Sequence, residues 1–371
     1  MLSNKISQQT LLLSGKSLFF LLLVGLSSAA LLLDWSSGRL PNPLTSLTLP
    51  LWASALVTAS LGYWAVPLLR ALKMGQFIRE DGPQAHLKKA GTPTMGGIFF
   101  IPVALGLSAA WTGVATGGVP PEVLGAIALT LAYGVVGWLD DWQVLRYRSN
   151  HGIPPRLRLG LEIGCGVLFC IWLAWRQPGI TTLAFPFGWT LPLGLLFWPL
   201  AIFVGVAESN AINLTDGLDG LAAGTNAIAL LGLGALIAPT WPDLMIFCAC
   251  LSGSCLGFLA HNYHPARVFM GDTGSLALGG ALAAVGLMTN ALWALLILSG
   301  IFFVETLSVI AQVSYYKATK GPDGVGKRLL KMAPLHHHLE LSGWTETQIA
   351  AAFYGIASLL VVVCLWVSRF A

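Results

Sequence analysis

About eleven apolar runs, each close to the length of a bilayer-crossing helix, fill most of this chain and leave little for a water-exposed surface. They lie near residues 17–33, 50–72, 97–117, 121–139, 157–175, 192–208, 220–238, 243–260, 275–289, 291–316 and 348–368. A hydrocarbon core of roughly 30 Å takes about 20 apolar residues as a helix. Backbone polar groups in lipid are satisfied only within helices or around a closed barrel, and these runs are continuous rather than alternating, so helices are expected. With 56% hydrophobic residues, 10% charged residues and a mean hydropathy of +0.75, a soluble globule is excluded. The expectation is an all-α polytopic membrane protein of about ten to eleven helices.

Lys and Arg gather at the ends of these runs or between them, and their distribution sets an orientation. With the N-terminus inside, 17 of the 20 basic residues fall on the cytoplasmic side, and only Arg39, Arg176 and Arg369 fall outside. The net charge of +4 therefore reports topology and attraction to anionic lipid rather than nucleic-acid binding. The first run reads as a span rather than a cleaved signal, because it continues through Leu33 past the small residues at 27–30. Cys165, Cys170, Cys248, Cys250, Cys255 and Cys364 all fall within spans with no CxxC pair, and read as packing residues. The segment 176–191 has β character around a glycine turn and is expected to form a small extracytoplasmic hairpin.

Five polar loops then share the cytoplasmic side: 88–97, 138–141, 210–220, 269–274 and 334–340. Irregular polar backbone persists at a membrane when it lines a wet cavity, so one active-site cleft facing the cytoplasm is expected. Asp140 and Asp141 end an apolar run, where repulsion and the helix dipole disfavour them unless a cation compensates. They are either solvated residues closing the helix, ligands around Mg²⁺, or a base. Asn210, Asn213, Asp216 and Asp219 recur every three residues beside Gly217 and Gly220, a hard-oxygen set suited to a divalent cation and phosphates. Asp272, between Gly271 and Thr273, fits either a helix cap or a third acidic ligand.

His336, His337 and His338 point about 100° apart on a helix, and without Cys or an HExxH pattern zinc is disfavoured. The stretch GTPTMGG at 91–97, following Lys88 and Lys89, resembles a phosphate cradle in composition but lacks the Walker ending. Glu305 and Glu162 lie in spans, where an ionisable group is either functional or a packing residue.

Together, NLTDGLDGL (213–221), FMGDTGSLALG (269–279), GTPTMGG and MAPLHHHLE (332–340) closely resemble the polyprenyl-phosphate N-acetylhexosamine-1-phosphate transferases. The last two motifs look like the phospho-N-acetylmuramoyl-pentapeptide branch. The resemblance covers about residues 50–371, one transmembrane transferase domain, and leaves 1–49 as an N-terminal extension with an extra apolar helix. It implies transfer of phospho-MurNAc-pentapeptide from UDP to undecaprenyl phosphate, giving lipid I and UMP with Mg²⁺ in a bacterial plasma membrane, and a homodimer. By position it assigns Lys89, Asp140, Asp141 and Asp272 to catalysis, with Asp272 as the magnesium ligand. Thr94, Asn210, Asp216, Asp219, Asn262, Phe269, Gln312, His336 and His337 are assigned to substrate. The family typically has ten spans beginning outside, so the first run is a departure. The rivals are a sister transferase moving GlcNAc-1-phosphate from UDP-GlcNAc, and a proton-coupled transporter built around Glu305. Against the transporter, the polar groups cluster on one face rather than at the midplane.

Overall fold

The computed structural model describes residues 14–72, 74, 91–147 and 152–370. Each of the eleven apolar runs is helical. They form α1 (Gly15–Ser36), α2 (Thr48–Ala71), α3 (Gly97–Thr116), α4 (Pro121–Tyr147), α5 (Pro155–Arg176), α6 (Phe197–Thr215), α7 (Leu221–Ile237), α8 (Pro242–Asn262) and α9 (Gly271–Met288). The last two runs give α10 (Leu292–Leu298) with α11 (Gly300–Ala318), and, after the short α12 (Leu335–Glu340), α13 (Glu346–Val367). Among the described residues, eight helices are long and apolar enough to cross a membrane, or nine if the bent pair α10–α11 is one span. The chain is a multi-pass membrane protein.

Burial divides the bundle into a centre and a rim. α7, α8 and α9 are buried along nearly their whole length, whereas α1, α5 and α13 turn large apolar side chains outward, among them Leu21, Leu168 and Val362. Close helix approach in lipid relies on small residues. A Cβ added at Gly137 of α4 would overlap the Asp272 carbonyl, and one at Gly279 of α9 would overlap the Ser209 backbone of α6. These two glycines let α9 lie directly on both α4 and α6. Buried hydroxyls add bonds across the core: Thr58 Oγ1 pairs with Ser254 Oγ at 2.7 Å, and Ser254 Oγ reaches the Phe100 carbonyl at 2.6 Å.

The expected hairpin is present at one end of the bundle. Strand β1 (Thr182–Ala184) pairs antiparallel with β2 (Thr190–Pro192), with Leu183 opposite Leu191, and Phe187 and Gly188 turn the chain at φ 65° and 74°. All six cysteines are free.

Three departures concern the polar segments. The run 291–316 was expected as one straight span but bends by 70° at Ser299 and Gly300, a residue pair of the kind that kinks helices. There Ser299 Oγ donates to Glu208 Oε2 of α6 at 2.9 Å. α4 does not end at Asp140 and Asp141 but continues to Tyr147, so the dipole penalty expected for that pair does not apply. Asn210 and Asn213 lie on the last two turns of α6 rather than in a loop, which begins only at Asp216.

The helix α1 is tied at both ends. Gly15 packs against the His264 backbone so closely that a Cβ would overlap the carbonyl. At the other end, buried Asp34 accepts from Leu47 N at 3.0 Å and from Thr48 N and Oγ1 at 2.9 and 2.7 Å, closing the first turn of α2. Arg39 Nε completes the Asp34 carboxylate at 3.0 Å.

Gly137→Ala is expected to wedge α4 from α9 and cost about 1–3 kcal/mol, the usual penalty of overpacking. Gly106→Ala on α3, where a Cβ meets nothing within 4 Å, is expected to be neutral. Thermal unfolding in detergent checks both, and equal midpoints for the two variants would refute the close-packing account.

Candidate active site

The described parts of all five polar loops converge at the end of the bundle opposite the hairpin, around the N-terminus of α9. The exposed N–H groups at a helix start need acceptors, and α9 takes them from another helix. Asp141, buried on α4, accepts from Asp272 N at 3.1 Å and from Thr273 N and Oγ1 at 2.9 and 2.6 Å. Asp141 is thus the cap of α9. Asp272 is not the cap: it occupies the first turn, and its carboxylate makes other bonds.

That carboxylate is held by two donors. Arg158 Nη1 of α5 reaches Asp272 Oδ2 at 2.6 Å, and Asn213 Nδ2 of α6 reaches Oδ1 at 2.8 Å. Arg158 also donates through Nε to Glu162 Oε1 at 3.1 Å and through Nη2 to Asn213 Oδ1 at 3.2 Å. Glu162 Oε2 in turn accepts from Asn210 Nδ2 at 2.7 Å. The planar guanidinium fork therefore joins α5, α6 and α9 in one network. Asp140, half-buried one residue before Asp141, accepts from Ile153 N at 3.0 Å. Asp216 follows α6; burial and then the negative charges of Asp272, Asp141 and Asp219 push its carboxyl well above the usual range.

A second cluster lies around Asp219. Its buried carboxylate accepts from His264 Nδ1 at 2.9 Å and from Ala266 N at 3.1 Å. Glu346 Oε2 lies 3.7 Å from the same imidazole nitrogen and accepts from Asp219 N at 3.2 Å. The hydrogen bonds to Asp219 and then Glu346 raise His264 to about 9, so it is cationic at neutral pH. Gly220, in the left-handed region at φ 78°, donates to Asn262 Oδ1 at 3.1 Å and accepts from the Tyr354 hydroxyl at 2.6 Å. Asn262 thus serves the turn between α6 and α7.

The 91–97 segment docks as backbone. Phe269 N donates to the Pro93 carbonyl at 2.8 Å, while Gly96 and Gly97 donate to the Phe269 and Met270 carbonyls at 2.8 and 3.0 Å. Buried Thr94 donates its N–H to Met74 at 2.8 Å. These amides are spent inside the protein, so the phosphate cradle suggested by composition is not formed by Gly96 and Gly97. Lys89 lies outside the described residues.

His336 enters beside the Asp216 turn. Its Nδ1 is 3.0 Å from Glu305 Oε2 and its backbone N donates to Glu305 Oε1 at 3.2 Å, so Glu305 orients the ring. Nε2 has no hydrogen-bond partner among the described residues and abuts Gly217, where a Cβ would collide with it. His337 Nδ1 meets Glu340 Oε2 at 2.8 Å, and His338 Nδ1 accepts from Lys331 N at 3.1 Å. Gln312 Oε1 accepts from Leu329 and Leu330 N at 2.9 and 2.8 Å, so it braces the segment leading to the histidines.

The site thus gathers Asp140, Asp141, Asp216 and Asp272 from three separate stretches of chain, with Asn213 and His336 beside them. Arg158 and His264, both unassigned from sequence, turn out to be its central cations. Arg158 carried one signal, an Arg four residues before Glu162 in the first turn of an apolar span, the spacing of a helical ion pair. His264 carried no signal beyond its place before the FMGD loop. Among the described residues, the carboxyl groups of Asp140, Asp141, Asp216, Asp272 and Glu162 outnumber the guanidinium of Arg158, and hard carboxyl oxygens in excess suit a divalent cation. The residues present therefore fit one.

Asp141→Ala is expected to leave three buried donors of α9 without an acceptor and to cost about 1–3 kcal/mol, whereas Asp141→Asn retains part of the cap and costs less. Denaturation of the two variants separates them. The His264 cluster gives a pH signature: a raised pKa contributes stability that is complete below 6.5 and is lost as pH rises through about 9. Between those values the thermal midpoint of the wild type should fall, and the slope should flatten in His264→Phe; identical slopes would contradict the ion-pair reading.

The family model for glycosyl transferase family 4 matches residues 123–290, and signature 1 of phospho-N-acetylmuramoyl-pentapeptide-transferase matches residues 89–101. Among similar proteins, the phospho-N-acetylmuramoyl-pentapeptide-transferase of a Nostoc species is 67% identical over 359 residues, covering 96% of each chain. That of Trichormus variabilis is 66% identical over 364 residues, 98% of each, and that of Acaryochloris marina 63% identical over 362 residues, 97% of each. The site motifs and this near full-length similarity agree: the chain belongs to the phospho-N-acetylmuramoyl-pentapeptide transferase family, membrane enzymes that transfer a phosphosugar.

Proposed function

We propose that the protein transfers phospho-MurNAc-pentapeptide from its UDP conjugate to undecaprenyl phosphate, forming lipid I and UMP at the cytoplasmic face of the plasma membrane. The observation that carries this reading is the meeting of Asp272, Arg158, Asn213, Asp140 and Asp216 at one end of the bundle, in a chain whose relatives bear that enzyme's name. The bias of 17 basic residues to 3 supports the cytoplasmic side, since the loops of the site belong to the basic set.

Phosphoryl transfer depends on positioning and charge neutralisation more than on covalent help from the protein. Asp272, with Asp216 nearby, would hold Mg²⁺, which supplies neutralisation of the diphosphate when bound. Arg158 aims the Asp272 carboxylate through one oxygen, and Asn213 fixes the other. The Nε2 of His336, oriented by Glu305 and without a protein partner among the described residues, is a candidate to hydrogen-bond the substrate. Asp140, bound on one side to Ile153 N, is placed to accept a proton from the carrier phosphate. Asp219, Asn262, Phe269 and Thr94 shape the nucleotide side through the backbone turns they fix, with Lys89 as a further cation. A homodimer is proposed on the family likeness alone.

UMP release decides the matter. With undecaprenyl phosphate, UDP-MurNAc-pentapeptide is expected to release UMP and UDP-GlcNAc is not; the reverse preference would make the protein the sister transferase. Chelation should stop turnover and Mg²⁺ restore it. Asp272→Asn is expected to lower turnover by at least about 10²–10³, the scale on which a lost electrostatic group acts, while the protein stays folded. Near-normal turnover in that variant would remove Asp272 from the reaction.

A further inference from the structure

Away from the acidic cluster, α1, α7 and α13 enclose an apolar groove of about 530 Å³, a volume typical of sites that hold a small ligand (roughly 300–1,000 Å³). Its walls run along α1 from Leu18 to Leu33 and along α13 from Tyr354 to Leu365, over a floor that includes Ile228 and Leu231 of α7. The sixteen residues of α1 from Leu18 to Leu33 give it a length of about 22 Å, most of the roughly 30 Å hydrocarbon core.

Two glycines hold the groove open. Gly25 and Gly355 both line it, and a Cβ built on either meets no atom within 4 Å. The groove is continuous with the lipid-facing surface: Leu21 and Leu32 on α1 and Val362 on α13 line it and are also about 60% exposed, at 60%, 59% and 62%. Toward the acidic cluster the way narrows. A gap of only about 10 Å³ lies between Leu18, Tyr354, Asp219 and His264, and Gly15 is pressed against the His264 carbonyl. No hydrocarbon chain passes through a space that holds about one water, so this gap does not lead an occupant of the groove toward Asp219 and His264.

We infer that the groove is a binding site for one anionic membrane phospholipid, its acyl chain lying between α1 and α13 and its phosphate at the bilayer surface. Lys16, exposed in the first turn of α1, stands at that level, where an ammonium group reaches an interfacial phosphate. The lipid closes the packing between α1 and the catalytic bundle. Tyr354, part of the groove wall, carries the effect to the site through its hydrogen bond to the Gly220 carbonyl.

The test is native mass spectrometry of the full chain, purified in mild detergent and supplied with phosphatidylglycerol or phosphatidylcholine. The wild type is expected to retain one phospholipid per chain, with phosphatidylglycerol preferred several-fold. Gly25→Leu and Gly355→Leu, which fill the groove from opposite walls, are each expected to lower retention at least tenfold with unfolding midpoints no lower than wild type. Gly106→Leu, on the outward side of α3 where a Cβ also meets open space, should retain the lipid, and Lys16→Gln should erase the preference for the anionic headgroup. Retention unchanged in both filled variants would overturn the proposal. So would a retained polyprenyl phosphate in place of phospholipid, or a dimer that dissociates on filling without loss of lipid, which would assign the groove to a second copy.

Discussion

The N-terminus of α9 cannot stay uncapped in a membrane protein, and its acceptor comes from α4. Asp141 accepts two N–H groups and a hydroxyl there, fixing the register of two helices that are distant in sequence. Once that register is set, Gly137 must lack a side chain because the Asp272 carbonyl lies against it. Asp272, one residue inside the helix, then has a single direction in which to project. A carboxylate bound in this way does structural work and at the same time aims its neighbour.

Charge is the second constraint. Among the described residues, Asp272 and the four carboxyl groups around it face chiefly one guanidinium, which is shared among Asp272, Glu162 and Asn213. Such an excess costs stability unless counter-charge arrives, and a divalent cation with an anionic diphosphate meets that need in a way that apolar packing cannot. The Asp219 cluster nearby solves the same problem internally, with His264 held cationic between two acids. Among the described residues the two clusters therefore differ: His264 stands between two acids, whereas Arg158 faces five carboxyl groups.

Much of the fold was legible because lipid imposes a strong length rule, and all eleven apolar runs became helices. The hairpin was legible from its glycine turn and β-rich flanks. Other features were hidden for identifiable reasons. The end of α4 was misplaced because charge at Asp140 and Asp141 looks like a helix terminus, although the helix runs on to Tyr147. The bend at Ser299 rests on a partner, Glu208, 91 residues away, which no local pattern reveals. In the site, the acids and histidines stood out by type, but Arg158 resembled one more topology-setting cation until its three partners were seen. Composition suggested a phosphate cradle at 91–97, yet a glycine amide is available to a ligand only if no carbonyl has claimed it, and that is a tertiary fact.

The N-terminal helix is integrated at both of its ends, by Gly15 against His264 and by Asp34 on the first turn of α2. It thereby touches the same turn that carries Asp219. The central claim nonetheless concerns the charge deficit at Asp272, and electron paramagnetic resonance of Mn²⁺ titrated into the purified protein with UDP present tests it most directly. The account predicts one bound ion per chain in the wild type and in His264→Phe, and loss of that ion in Asp272→Asn. Undiminished Mn²⁺ binding in Asp272→Asn, or its loss in His264→Phe alone, would contradict it.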